Sequence, residues 1–348
     1  MPSAAPLELL HPPLDRASGG NVYDRGLLDA AASRGYPLAS VVVGFDDVDE
    51  QLRERSSAFR IWDALLLERV AERRSLERAE RAVLLHWMPS LDPAIDAAQR
   101  RRRESIERAI VDCATLVVVP GQALRTALQR RHPLQRIVCC EPAVREPFRA
   151  PKCEKQPHPS VELLTVCNLL PAKRLVELLH VLASLRAFDW RWRLVGEVDV
   201  DATYARRFDQ TLHDLGLAQR VFVHGPLDAA GVVERMDRAD LFVFPSRFES
   251  YGIVLAEAAA RALPVIASRT GDAGRLFHDG ADSLLVPPGD DAALRKALWR
   301  MITDPAARAR FRARLARREV ARGWEQAFAE FAQAVGASAL AASLPVGS

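Results

Sequence analysis

No stretch of this chain reaches the run of about eighteen uncharged apolar residues that a membrane-spanning helix needs. The opening Met1-Pro2-Ser3-Ala4-Ala5-Pro6 lacks a basic region followed by an apolar one, so no signal peptide is expected. Cytoplasmic location follows, with a peripheral position on the inner face of the membrane left open. The five cysteines, Cys113, Cys139, Cys140, Cys153 and Cys167, match neither a disulfide framework nor a Cys-x-x-Cys pair, and read as small buried hydrophobes. Net charge is only +3 and aromatics only 7%, with no basic–aromatic interleaving, so no nucleic-acid platform is expected. A Gly-x-Gly-x-x-Gly turn is also missing, which argues against a dehydrogenase. No group of His, Cys, Asp or Glu shows metal-ligand spacing, so no metal site and no required cofactor are expected.

What the chain does have is alternation on a scale that fills two domains: 348 residues, 49% of them hydrophobic. Beyond residue 35, short β-branched runs alternate with longer helical patterns. Residues 40–45, 82–87 and 115–119 read as strands, 59–80 and 93–109 as helices. A proline-studded stretch, residues 146–160, reads as a linker. The alternation then resumes, with strands expected at 162–166, 192–196, 220–225, 241–245, 264–267 and 283–286. Helices are expected at 173–185, 204–215, 229–239, 251–261, 290–302 and 305–318. Strands separated by helices imply βαβ crossovers and mostly parallel sheets. The expected fold class is therefore α/β, with two facing Rossmann-like αβα domains. Their bounds are read as 1–158 and 159–333, followed by a tail at 334–348, and the cleft between them is the default site.

The sharpest segment runs from Phe244 through Pro245-Ser246-Arg247-Phe248-Glu249-Ser250-Tyr251-Gly252 to Glu257 and Ala258. It passes from a buried strand through a polar turn into a helix whose first turn is expected to hold Gly252. Backbone N–H groups of Ser250, Tyr251 and Gly252 at a helix start could meet an anion, and glycine permits close approach. Glu257 stands among Leu255, Ala256, Ala258 and Ala259, where a solvated carboxylate is less natural, and could take both hydroxyls of a ribose. Glu249 could bond sugar hydroxyls. The alternative for the pair is a charged helix start and an ordinary surface glutamate.

That segment resembles the Glu-x7-Glu signature of retaining glycosyltransferases of family 4, the glycosyl transferases group 1, which have the GT-B fold. The resemblance covers the second half, from Leu163 to about Phe331, including Ala239 to Ser246, Ala262 to Ala267, Leu285 to Asp290, Asp304-Pro305 and Trp324-Glu325. It implies transfer of a sugar, with retention, from a UDP- or GDP-linked donor to a hydroxyl acceptor that is a glycan or lipid-linked. It implies that Glu257 binds the nucleotide ribose, Glu249 lies beside the transferred sugar, and Ser250, Tyr251 and Gly252 contact sugar and diphosphate. Lys173 matches the lysine that neutralises the diphosphate, and Gly196 the point where the chain passes the nucleotide. In the first half, Gly19 and Gly20 resemble the family's glycine loop, though a Gly-Gly pair alone is more often a turn. His86 resembles a histidine near the transferred sugar, its alternative being a ring that satisfies local backbone.

Four positions depart from the pattern. Cys167-Asn168-Leu169 replaces the usual Gly-Arg-Leu, Arg174 follows the lysine where a glycine is usual, and Arg275 stands where a glutamate is frequent. Asn168 cannot supply the bidentate phosphate contact of an arginine, so a non-catalytic nucleotide-sugar-binding subunit or sensor is the rival reading. A phosphorylase or epimerase on the same fold is another. Arg100 to Arg103 form a basic run, either solvated surface or a contact for anionic lipid.

Overall fold

The computed structural model describes residues 6–150, 159–318 and 322–343. The chain forms two compact units, one reaching to Ala143 and resuming at Arg322, the other running from Val144 to Ala321. Both are α/β, and each has one six-stranded sheet in which every paired neighbour is parallel. This is the fold class the alternation predicts.

The first sheet contains β1 (Leu7–His11), β2 (Leu38–Val42), β3 (Phe59–Asp63), β4 (Arg81–Leu84), β5 (Leu116–Val119) and β6 (Ile137–Cys139), in the order β2-β1-β3-β4-β5-β6. Its central strands are apolar on both faces; all four residues of β5 are buried, as a sheet covered by helices on each side requires. Because β2 lies on one side of β1 and β3 on the other, the crevice between β1 and β3 is a topological switch point, where ligands bind beyond the carboxyl ends of strands.

Several sequence expectations for this unit need correction. The helix expected at 59–80 begins only at Ala64: Phe59, Ile61, Trp62 and Asp63 are buried in β3. Asp63 then caps the helix Ala64–Arg73, accepting from the Leu65 N–H at 2.8 Å. Gly19 and Gly20 do not form a loop. They open the helix Gly19–Ser33, capped by the Ser18 hydroxyl, which accepts from the Asn21 N–H at 3.1 Å, and neither has a positive φ. The tail expected at 334–348 belongs, as far as Ser343, to the helix Trp324–Ser343 of the first unit. Trp324 lies edge-on to Tyr23 at 5.5 Å between ring centroids, Phe328 edge-on to Tyr36 at 5.2 Å, and Phe331 and Val335 are buried. Gly26 is the residue that lets this helix dock, since a Cβ there would stand 2.3 Å from the Trp324 ring.

The second sheet contains β7 (Val161–Val166), β8 (Trp190–Val195), β9 (Val221–Val223), β10 (Leu241–Phe244), β11 (Val265–Ser268) and β12 (Ser283–Val286), in the order β12-β11-β10-β7-β8-β9. Alternate residues feed opposite faces. Leu163, Leu241, Val243 and Ile266 join one apolar cluster, whereas Leu164, Phe242, Phe244, Val265 and Ala267 join another. The unit begins at Val144 rather than near residue 159 because Val144 and Phe148 are buried in that second cluster. Most of the expected linker, residues 151–158, lies outside the described residues. Here the switch point falls between β7 and β10, the strands whose following segments carry Lys173 and Glu249.

Candidate functional site

In the second unit, two turns meet beyond the carboxyl ends of β7 and β10. After β10, Pro245 ends the strand, and the buried Ser246 hydroxyl donates to the Phe248 carbonyl at 2.8 Å. The Arg247 N–H donates to the Ala172 carbonyl at 2.7 Å, tying this turn to the single 3-10 turn Pro171–Lys173 that follows β7. That link sets Lys173 beside Glu249, with Nζ to Oε1 at 2.5 Å. The ammonium also lies 5.3 Å from the centre of the Phe244 ring. Burial works to lower the Lys173 ammonium, but the Glu249 charge outweighs it and leaves the group above its ordinary value.

The helix carrying Glu257 is Ile253–Ala260, two residues shorter at its start than the sequence pattern suggests. Gly252 is its N-cap, at φ 97°, so Ser250, Tyr251 and Gly252 form the turn leading into the helix rather than its first turn. The Ser250 hydroxyl is buried without a hydrogen-bond partner among the described residues. Such a group is costly unless something else satisfies it. Gly271, also at positive φ (54°), backs this turn: a Cβ there would come 2.7 Å from the Glu249 carbonyl oxygen.

Glu257 is only 2% exposed, and its carboxylate is held by Arg145, Nε to Oε1 at 2.6 Å and Nη2 to Oε2 at 3.1 Å. Burial pushes the Glu257 carboxyl up, and the Arg145 charge and hydrogen bonds offset part of that. Sequence reasoning missed Arg145, which stands 112 positions away, and no spacing rule links the two. Gly196 has a positional reason of its own: at φ 143° its Cα faces the Cys167 carbonyl, and a Cβ would meet that oxygen at 2.1 Å.

Arg174, where a glycine was expected, adopts the left-handed conformation a glycine would take, φ 56° and ψ 39°. It is 7% exposed, and its guanidinium bonds Asp291 at 2.8 Å. Asn168 accepts from the Glu197 N–H at 3.1 Å through its side-chain oxygen.

In the first unit, Gly20 and His86 do come together: a Cβ on Gly20 would lie 3.2 Å from His86 Cδ2. His86 Nε2 lies 2.9 Å from Asp24 Oδ1 rather than satisfying backbone, and Asp63 completes a buried group of three. Sequence reading sees no such cluster, because Asp24 lies on the first helix and Asp63 inside what reads as another. The arginine run is largely tied down. Arg100 donates to the Ser90 carbonyl at 2.6 Å, Arg102 lies 3.7 Å from Glu72, and Arg103 lies 3.6 Å from Glu68. Among the described residues no helix is long and apolar enough to cross a membrane.

Comparison with known proteins agrees with this architecture. Over 129 residues the chain is 33% identical to a D-inositol 3-phosphate glycosyltransferase of Xylanimonas cellulosilytica, covering 36% of this chain and 30% of the relative. Over 97 residues it is 39% identical to a phosphatidyl-myo-inositol mannosyltransferase of Mycobacterium leprae, covering 28% and 26%. The chain thus spans less than a third of the length of these two relatives. Sucrose-phosphate synthase from Thermosynechococcus elongatus shares the fold with a TM-score of 0.80 at 20% identity, covering 97% of this chain and 100% of that one. An Anabaena protein solved with UDP and glucose does so with a TM-score of 0.69 at 17% identity, covering 98% and 100%. These likenesses identify the fold as GT-B. Residues 150–318 match the family described as glycosyl transferases group 1. That match runs through nearly the whole of the second unit, which belongs to the glycosyl transferases group 1 family.

Proposed function

We propose that this chain transfers a sugar, with retention, from a UDP- or GDP-linked donor to a hydroxyl acceptor that is a glycan or lipid-linked. The observation that carries the reading is the Lys173–Glu249 pair at the β7/β10 switch point, next to the Ser250 hydroxyl, which is buried without a partner among the described residues. An ammonium at a switch point is suited to a diphosphate, and an unsatisfied hydroxyl beside it to a further polar group. On donor binding, Lys173 exchanges Glu249 for phosphate oxygens, and Glu249 becomes free to accept from sugar hydroxyls. The bond from the anomeric carbon to the phosphate oxygen breaks, and the acceptor oxygen bonds that carbon on the same face. The acceptor proton passes to the leaving phosphate. Lys173 stabilises charge that grows as the bond breaks, which lowers the barrier more than ground-state binding does. Gly20 lets the start of its helix pack against the His86 ring. No metal or other cofactor is required in this scheme, and full turnover in excess chelator is the expected result.

A second reading, a nucleotide-sugar-binding subunit without turnover, is favoured by Asn168 and by Arg174, whose charge is spent on Asp291. A thermal-shift panel of nucleotide sugars tests both readings, because a ligand that binds only the native state raises apparent stability. The enzyme reading expects one donor to raise Tm and to be consumed with a hydroxyl acceptor. It also expects Lys173→Met to lower transfer by about 10²–10³-fold. A shift with no turnover over a broad acceptor panel favours the sensor, and no shift with any donor overturns both.

A further inference from the structure

The carboxyl ends of β1, β3 and β4 enclose three titratable side chains of which the proposed reaction uses only one. Asp24 and Asp63 are 0% and 1% exposed, and one ligand atom from each of Asp24, Asp63 and His86 lies within 4.8 Å of the others. His86 Nε2 is spent on Asp24 Oδ1 at 2.9 Å, while Asp24 Oδ2 has no hydrogen-bond partner among the described residues. The ring is held on its other sides by Gly20 and by Tyr23, whose ring stands edge-on at 5.3 Å between centroids. Tyr23 is itself fixed, donating its hydroxyl to the Cys140 carbonyl at 2.6 Å. This is a histidine with one orientation, and its Nδ1 is the nitrogen that Asp24 does not take.

The electrostatics follow from the geometry. Two carboxyl groups buried this close cannot both ionise without a compensating cation, and the imidazole is the neighbour able to supply one. Burial alone would lower the His86 ring, but the Asp24 charge and hydrogen bond, with Asp63 adding, push it up to about 9. Burial pushes Asp63 up to about 7, the Asp24 charge adding and His86 opposing. The titratable groups facing His86 are therefore Asp24 from the helix Gly19–Ser33, Asp63 from the end of β3, and the Tyr23 phenol.

We propose that Asp24 and Asp63 are positioning residues for His86: Asp24 fixes the ring through Nε2, Asp63 adds a second buried carboxyl group beside it, and the ring is held in one orientation with Nδ1 left to a ligand. This rests on the reading that His86 serves the transferred sugar.

The test is an NMR titration of the full chain carrying labelled histidine, with the His86 signal assigned by its loss in His86→Gln. Wild type is expected to titrate near 9. Asp24→Asn is expected to lower that midpoint by roughly 1–3 units, and Asp63→Asn to lower it less while the ring keeps its orientation. The alkaline limb of the kcat profile should move down with the midpoint in both variants, a change that a merely structural loss of stability does not produce. A wild-type midpoint near the ordinary 6.5 overturns the proposal even if neither variant folds. A stoichiometric metal bound in the purified protein and lost in Asp24→Asn overturns it too, because Nε2 would then be a ligand. If His86 titrates as expected but His86→Gln turns over normally, the positioning stands and the assignment of His86 to the sugar falls.

Discussion

Replacing Arg145 with methionine keeps the length of the aliphatic stem and removes the guanidinium that faces Glu257. The lost contacts are two hydrogen bonds, at 2.6 and 3.1 Å, to a carboxylate that is 2% exposed. The guanidinium also stacks over Phe148, 4.7 Å from its ring centre, although methionine can still cover that ring. Breaking a buried pair on one side leaves an uncompensated charge, at a cost of about 3–5 kcal/mol. Against an expected 5–15 kcal/mol for a whole domain, that is a large fraction of the second unit's stability.

The sign of the pH dependence separates this explanation from simple loss of packing. Burial already holds the Glu257 carboxyl above its ordinary value with Arg145 present, and without Arg145 it must rise further. A carboxyl whose folded pKa is raised favours the folded state below its unfolded pKa, about 4.3. That contribution is lost as pH rises through the folded value. Arg145→Met is therefore expected to cost most near pH 8 and least near pH 5, the reverse of an exposed salt bridge broken by acid. The assay is urea unfolding followed by tryptophan fluorescence, since Trp190 and Trp192 are fully buried in the second unit. The double variant Arg145→Met/Glu257→Leu should return to within about 1 kcal/mol of wild type, because an apolar pair of similar volume replaces a buried ion pair at little cost. A single-variant loss below about 1 kcal/mol at pH 8, or one that does not change down to pH 5, would refute the reasoning.

Two other substitutions probe backbone positions. Gly196→Ala places a Cβ 2.1 Å from the Cys167 carbonyl oxygen at φ 143° and is expected to destabilise the second unit by more than about 4 kcal/mol, read as loss of soluble protein or of the urea transition. Arg174→Gly should leave Tm level or slightly raised: relief of a left-handed backbone is worth about 1–2 kcal/mol, while the lost pair with the half-exposed Asp291 is worth about 0–1 kcal/mol. A fall in Tm of more than a few degrees would show that the Asp291 pair matters more than the backbone strain.

The second sheet was legible because each strand is a short apolar run cut off by glycine, proline or polar residues. Leu241 to Phe244 is buried at every position and Pro245 ends it. The first sheet was less so. β1 is five residues, Leu-Glu-Leu-Leu-His, with no clean alternation, and β3 shares with its following helix an apolar spacing that reads as one helix. Gly19 and Gly20 read as a loop from the family resemblance and because a Gly-Gly pair is more often a turn, yet the Ser18 cap and the close approach of His86 to Gly20 set them in a first turn. The return of Trp324, Phe328 and Phe331 to the first unit depends on Gly26, on the first helix, which periodicity cannot connect to them.

The site shows the same division more sharply. Residue type and spacing mark Glu249 and Glu257 as candidates, because a strand, a polar turn and a helix in that order set a place for charge, and the family resemblance adds Lys173. They do not say what charge each residue meets when no ligand is bound, since partners come from distant segments. Lys173 meets Glu249, Glu257 meets Arg145, and Arg174 meets Asp291. Each of these buried or half-buried charges carries a desolvation cost that the pairing offsets. If Lys173 takes the donor diphosphate as proposed, that diphosphate competes with the Glu249 carboxylate for the same ammonium. Net affinity is then the difference between two charge-assisted contacts to Lys173, not the strength of one. On that proposal, the presence of the lysine, read from the resemblance, does not fix how tightly a nucleotide sugar would be held.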